Sequence, residues 1–210
     1  MARLKLEKIT LLNMIDDPKL STLADDLVQL PVPESIKIKG KYYPVPQTYE
    51  EFCKNLVYGQ RLFIARKEDN DYGIIIRVLD GYYYPMVTVN KWDEDQALLF
   101  GKYILNLSVI QIYPVAMHLV NLISEVAARE QKLLHRNPSK LELAAGIERL
   151  NPFTELLSLD FLRDAMKVTV PEVIQTPYNE CLVRFMIAKE QAEFQDRYIE
   201  LSKEESKLKN

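Results

Sequence analysis

The chain has 210 residues, with 27 Lys and Arg against 30 Asp and Glu and a formal net charge of −3. Hydrophobic residues supply 48% and charged residues 27%, ordinary globular usage that excludes a disordered chain, a collagen-like repeat and a small disulfide scaffold. The near-neutral balance speaks against a general nucleic-acid binder, which would be basic, and two distant cysteines, Cys53 and Cys181, read as buried thiols of a reducing compartment.

Residues 1–33 read as an N-terminal arm. Its first residues interleave charge with apolar side chains and form no h-region, so no signal peptide is expected. Leu4, Leu6 and Ile9 allow a short strand. Asp17-Pro18 then supplies an N-cap and a proline at the first helical position, and Leu20, Leu23, Leu27 and Leu30 follow at helical spacing. Pro31-Val32-Pro33 ends that helix.

Residues 34–47 read as a hairpin: Ile36 and Ile38 alternate with Lys37 and Lys39, Gly40 sits at the turn, and Tyr42 to Pro46 return. The prolines of the return strand make this an edge ribbon. Thr48, with Glu51 three residues on, caps a helix running to about Tyr58, with Gly59 as its stop. Arg61 to Ala65 reads as a strand and Lys67 to Asp71 as a polar turn. The run from Tyr72 to Asp80 suits a strand or a buried helix equally, and Met86 to Val89 reads as extended.

From Trp92 onward the pattern is helical, over 93–106, 112–135, 140–149, 152–166 and 177–205. Ser139 with Glu142 forms a capping box, and Asn151-Pro152 and Thr176-Pro177 are cap-plus-proline pairs. The last helix would reach about 44 Å, longer than a compact domain of this size needs, and a helix that outruns its core has a partner to meet. Tyr103 to Ser124 holds no charged residue and is long enough to span a bilayer. Asn106, Gln111, His118 and Asn121 within it favour a buried central helix, with no membrane contact. The expected fold is mainly α with a small β-ribbon (α+β), arranged as an extended arm, a core domain over 34–135 and a helical C-terminal extension over 136–210 with one long helix.

The common catalytic constellations are absent from the sequence. Neither phosphate-cradling glycine motif occurs, and no C-x-x-C or H-x-x-x-H offers a metal site. His118 and His135 lie 17 residues apart, about 100° around one helix, and His118 between Met117 and Leu119 reads as a core residue. Asp69-Asn70-Asp71-Tyr72-Gly73 imitates a calcium loop, but Ile74 stands where the loop needs glycine and Asp80 where it needs glutamate. The acidic runs Asp16-Asp17, Asp25-Asp26 and Asp93-Glu94-Asp95 fall near helix starts, where carboxylates answer the dipole. No catalytic residue, no metal and no cofactor is expected.

Tyrosine is the unusual component, at 12 of 210 residues. It buries a large area and keeps a hydroxyl for bonding, which suits protein interfaces. The contact residues expected on this ground are Tyr42, Tyr43, Tyr82, Tyr83, Tyr84, Phe185 and Tyr198. The alternative is a nucleic-acid-binding accessory role, with Lys37, Lys39 and Lys41 contacting phosphates while the adjacent tyrosines stack on bases.

The run Ile36-Lys37-Ile38-Lys39-Gly40-Lys41-Tyr42-Tyr43, then Val57-Tyr58-Gly59-Gln60, Ile75 to Leu79 and Gln111-Ile112-Tyr113-Pro114-Val115, resembles small neck or tail proteins of tailed bacteriophages. The resemblance covers roughly residues 36–125. It implies a virion component or a tail-assembly chaperone, working by protein–protein docking with copies of itself and neighbouring virion proteins, in the virion or the host cytoplasm. It also implies that residues 72–79 form a buried helix.

Overall fold

The computed structural model describes residues 8–66 and 71–208. The strand reading at Leu4 and Leu6, and residues 67–70 of the polar turn, lie outside the described residues. The protein is mainly α-helical with one small β-ribbon and a long C-terminal helix. Its helices are α1 (Leu11–Asp16), α2 (Pro18–Ser21), α3 (Ala24–Val28), α4 (Tyr49–Lys54), α5 (Tyr58–Ala65), α6 (Asp71–Thr88), α7 (Glu94–Ile104) and α8 (Val109–Leu134). Beyond them come α9 (Lys140–Ala144), a 3₁₀ turn (Ile147–Phe153), α10 (Thr154–Met166), α11 (Val170–Gln175) and α12 (Tyr178–Leu208). The ribbon pairs β1 (Ser35–Ile38) with β2 (Lys41–Pro44) antiparallel, Ile36 opposite Tyr43 and Lys37 opposite Tyr42.

The chain divides into two compact units. The first takes the described residues up to Val126 together with Ile174–Tyr178; the second takes Ala127–Val173 and Asn179 onward. Residues 8–33, read as an arm, belong to the first unit. Leu11, Met14 and Leu27 are buried, and the backbone of Leu12 donates to the carbonyl of Leu105 at 2.8 Å while Val109 donates to Ile9 at 2.8 Å. The helix expected through Leu20 to Leu30 is two short helices, broken at Thr22-Leu23.

The core of the first unit forms around α6, which packs against α5 and α7. Every residue from Val78 to Tyr84 is buried, and seven successive helical residues cover the whole circumference. A stretch enclosed on all sides shows no amphipathic period, so the Tyr72 to Asp80 run carries from Val78 onward no signal that separates strand from helix, although Ile74 near its start is exposed. The extended reading at Met86 to Val89 is corrected in the same way, since α6 continues to Thr88.

Two further readings change. Arg61 to Ala65 is helical, not a strand, and Gly59 lies inside α5, not at the end of α4. Helix α4 stops at Asn55. Gly59 is required by close approach: a Cβ there would stand 2.5 Å from Cδ1 of Trp92. Gln60 is buried with both ends used, its carbonyl accepting from the Val57 amide at 2.9 Å and its amide donating to the Gly81 carbonyl at 2.6 Å. The segment 174–178 joins this unit through reciprocal bonds. The Tyr58 amide donates to Thr176, the Tyr178 amide to Leu56, and Gln175 both accepts from the Trp92 amide and donates to its carbonyl.

Helix α8 is long and apolar enough to cross a membrane by length and composition, and half of that apolar window is buried inside the protein. Val109, Ile112, Val115, Leu119, Leu122 and Val126 recur at three- and four-residue steps along one buried face, and Tyr113, Pro114 and Ala116 are buried as well, so that residues 112–116 are enclosed all round.

In the second unit, Arg136 pairs with both Glu142 and Asp196, the latter at 2.5 Å. Lys189 donates to the Leu133 carbonyl at 3.1 Å, and Phe161 stacks on Phe185 at 5.4 Å. Ser139 caps α9 through the expected capping box.

Candidate docking surface

The expected contact tyrosines separate into two groups. Tyr82, Tyr83 and Tyr84 are buried in the first unit and are corrected from surface contacts to core residues. Tyr82 stacks on Phe52 at 5.0 Å and meets Tyr83 edge-on at 5.1 Å, while Tyr84 packs edge-on against Trp92 and Phe100. The Tyr83 hydroxyl donates to the Pro44 carbonyl at 3.4 Å, tying α6 to the ribbon. Burial pushes the Tyr82 and Tyr83 hydroxyls well above their ordinary pKa, so both remain neutral.

Tyr42 is 71% exposed on the outer face of the ribbon, and Tyr43, opposite buried Ile36, is half-buried. In the second unit Phe185 is half-buried against Phe161, whereas Tyr198 is exposed and stacks on exposed Phe194 at 6.3 Å.

Lys37, Lys39 and Lys41 do not converge. Lys37 shares the outer face with Tyr42, its ammonium 5.8 Å from the ring centre. Lys39, in the turn, folds back over Phe100 and Tyr103 at 5.6 and 5.4 Å. Lys41 lies opposite Ile38. Lys39 leaves the strand at the turn, and Lys41 is paired with inward-facing Ile38 while Lys37 is paired with outward-facing Tyr42, so the three ammonium groups do not line one phosphate track.

Strand addition at β1 is also obstructed. The Lys39 amide donates to the Tyr103 hydroxyl at 2.9 Å, and the Lys37 carbonyl accepts from Gln111 at 3.5 Å. These bonds occupy backbone groups that a docking strand would need.

Among the described residues no group of three His, Cys, Asp or Glu is placed to hold a metal ion. The His118 ring meets the Pro46 carbonyl at 2.7 Å. Cys53 and Cys181 are both buried, and burial pushes the Cys181 thiol up to about 12, which leaves it protonated and unreactive. Asp80 is the one buried carboxylate among the described residues, and desolvation raises its pKa to about 8 despite the nearby charge of Arg77.

The feature that composition and motif reading missed is the surface of the second unit. Its buried hydrophobic side chains among the described residues are Leu162, Val173, Cys181 and Leu182. Far more large apolar groups stand in solvent: Leu141, Leu143, Leu150, Phe153, Leu156 and Leu157 before α11, and Val183, Ile187, Phe194, Tyr198, Ile199 and Leu201 on α12. Single exposed hydrophobics are common, but such a concentration in one unit is not. The signal in the sequence was the seven-residue repeat of Ile187, Phe194 and Leu201 inside a segment that composition alone presents as mostly charged.

Comparison with protein-family models, curated proteins and solved structures finds no match.

Proposed function

We propose that this protein is a non-enzymatic assembly component that acts by docking on other protein surfaces, with its second unit as the docking module. The observation that carries the reading is the imbalance in that unit, where exposed large hydrophobics far outnumber buried ones. A helical unit with so few buried side chains gains little free energy from its own core. Covering the exposed groups with a partner supplies what folding alone leaves out. The resemblance over residues 36–125 provides the setting: a neck or tail component of a tailed bacteriophage.

Fractionation tests this. The full chain, tagged and produced in cells that carry its gene, is followed through density-gradient separation of lysed culture. Co-sedimentation with finished particles at a fixed ratio supports a virion component. Presence with assembly intermediates and absence from finished particles assigns the chaperone role instead. Absence from every particle and intermediate fraction overturns the proposal.

A further inference from the structure

Helix α12 carries an exposed apolar stripe from Val183 to Leu201. At 100° per residue, Val183, Ile187, Phe194, Tyr198 and Leu201 fall within a sector of about 60°. All five are exposed, Phe194 by 56%. An open groove of about 800 Å³ follows the same side, with Val183, Ile187, Glu190 and Phe194 among its lining residues.

The symmetry of the stripe selects its occupant. Ile187, Phe194 and Leu201 are evenly spaced, so these three positions read the same from either end about Phe194, whereas Val183 and Tyr198 have no apolar counterpart across it. Glu190 and Arg197 border it on opposite sides of Phe194 along the axis and carry opposite charge. A second copy laid parallel in register would hold Glu190 level with the partner's Glu190 and Arg197 level with the partner's Arg197 on opposite flanks of the seam, and would form no Glu190–Arg197 pair. Laid antiparallel, with the twofold axis near Phe194, it brings Leu201 over the partner's Ile187 and Glu190 to the partner's Arg197. Within one chain exposed Arg197 approaches half-buried Glu193 of its own helix at 3.9 Å, and Glu193 also meets Lys189 at 3.7 Å, so releasing Arg197 leaves Glu193 paired.

We propose that a second copy of this chain docks on residues 187–201 of α12 as an antiparallel helix pair, with Phe194 at the twofold axis and reciprocal Glu190–Arg197 pairs. This rests on the reading of the second unit as a docking module and names its partner. The helices overlap for about 21 Å, and one helix face of that length buries less than the roughly 800 Å² per partner of a standard interface. Association in the micromolar range is therefore expected.

The test is sedimentation equilibrium of the full chain across a micromolar concentration series. Wild type is expected to move from monomer to dimer. Phe194→Asp should abolish the dimer with the helical circular-dichroism signal unchanged, because the ring is exposed. Glu190→Arg and Arg197→Glu should each weaken it about tenfold through like-charge contact, and the double exchange should restore it. Mixed Ile187→Cys and Leu201→Cys chains should cross-link to each other in preference to themselves.

A monomer at every concentration, a double exchange that fails to recover, or preferential same-position cross-links would overturn the proposal. A monomer that still travels with particles removes the self-docking and leaves the assembly role standing. A dimer absent from all particle and intermediate fractions does the reverse.

Discussion

Replacing Asp80 by Asn should remove a large pH dependence from the stability of the first unit. Asp80 is 1% exposed, and its Oδ1 has no hydrogen-bond partner. Its Oδ2 lies so close to Gly101 that a Cβ there would stand 2.2 Å away. Burial lifts the carboxyl from 3.8 to about 8, with Arg77 one turn earlier pulling weakly the other way. The native state therefore holds its proton up to about pH 8, while the unfolded chain releases it near the ordinary value. Unfolding between these limits releases a proton, so the contribution of this group to stability falls as pH rises from about 4 to about 8, then levels. Each pH unit in that window is worth about 1.4 kcal/mol, which makes the loss about 4 kcal/mol between pH 4 and pH 7. Asn does not titrate. The stability of Asp80→Asn relative to wild type should rise by that amount over the same window, whatever its offset at pH 4. Urea midpoints followed by Trp92 fluorescence measure it, since Trp92 is the single tryptophan and is buried in this unit. Two curves that run parallel from pH 4 to pH 8 would show that Asp80 titrates normally and would refute the argument.

Gly101→Ala should cost about 1–3 kcal/mol, because the new methyl meets the Asp80 carboxyl and α6 and α7 must separate; an unchanged melting temperature would contradict that contact. Tyr83→Ala should cost about 3–5 kcal/mol by emptying the core, whereas Tyr42→Ala should stay within about 0.5 kcal/mol. Equal losses in denaturant titrations would mean that the assignment of one ring to the core and the other to the surface is mistaken. Val89 follows α6 with a φ of +59° and is exposed, its amide donating to the Pro85 carbonyl at 2.9 Å. A β-branched residue pays a steric penalty in this left-handed position. Val89→Gly should therefore stabilise the protein by about 1 kcal/mol, read as a higher urea midpoint, and a lower midpoint would count against the strained geometry.

The sequence by itself determined what depends on a few neighbouring residues. Asp17, Thr48, Asp93 and Ser139 each accept from a backbone amide two or three residues on, and such bonds need only the local chain. Gly40 adopts a φ of +80° in the hairpin turn, a conformation that other residues resist, and the alternation of Ile36 and Ile38 with lysines fixed which side of β1 is buried. The length of the last helix was legible for the same reason.

Only the tertiary structure decided what surrounds each segment. Tyr82, Tyr83 and Tyr84 have the composition of an interface, and become core because α5, α7 and the ribbon enclose α6. Arg61 to Ala65 are helical because Gly59 lets Trp92 approach and Gln60 ties the Val57 amide to Gly81. The stripe on α12 went unnoticed because its charged neighbours dominate the composition, although its spacing was on view. Helical propensity and capping act over one turn of chain, whereas burial is set by segments brought together from distant positions, and no window along the sequence contains both partners of such a contact.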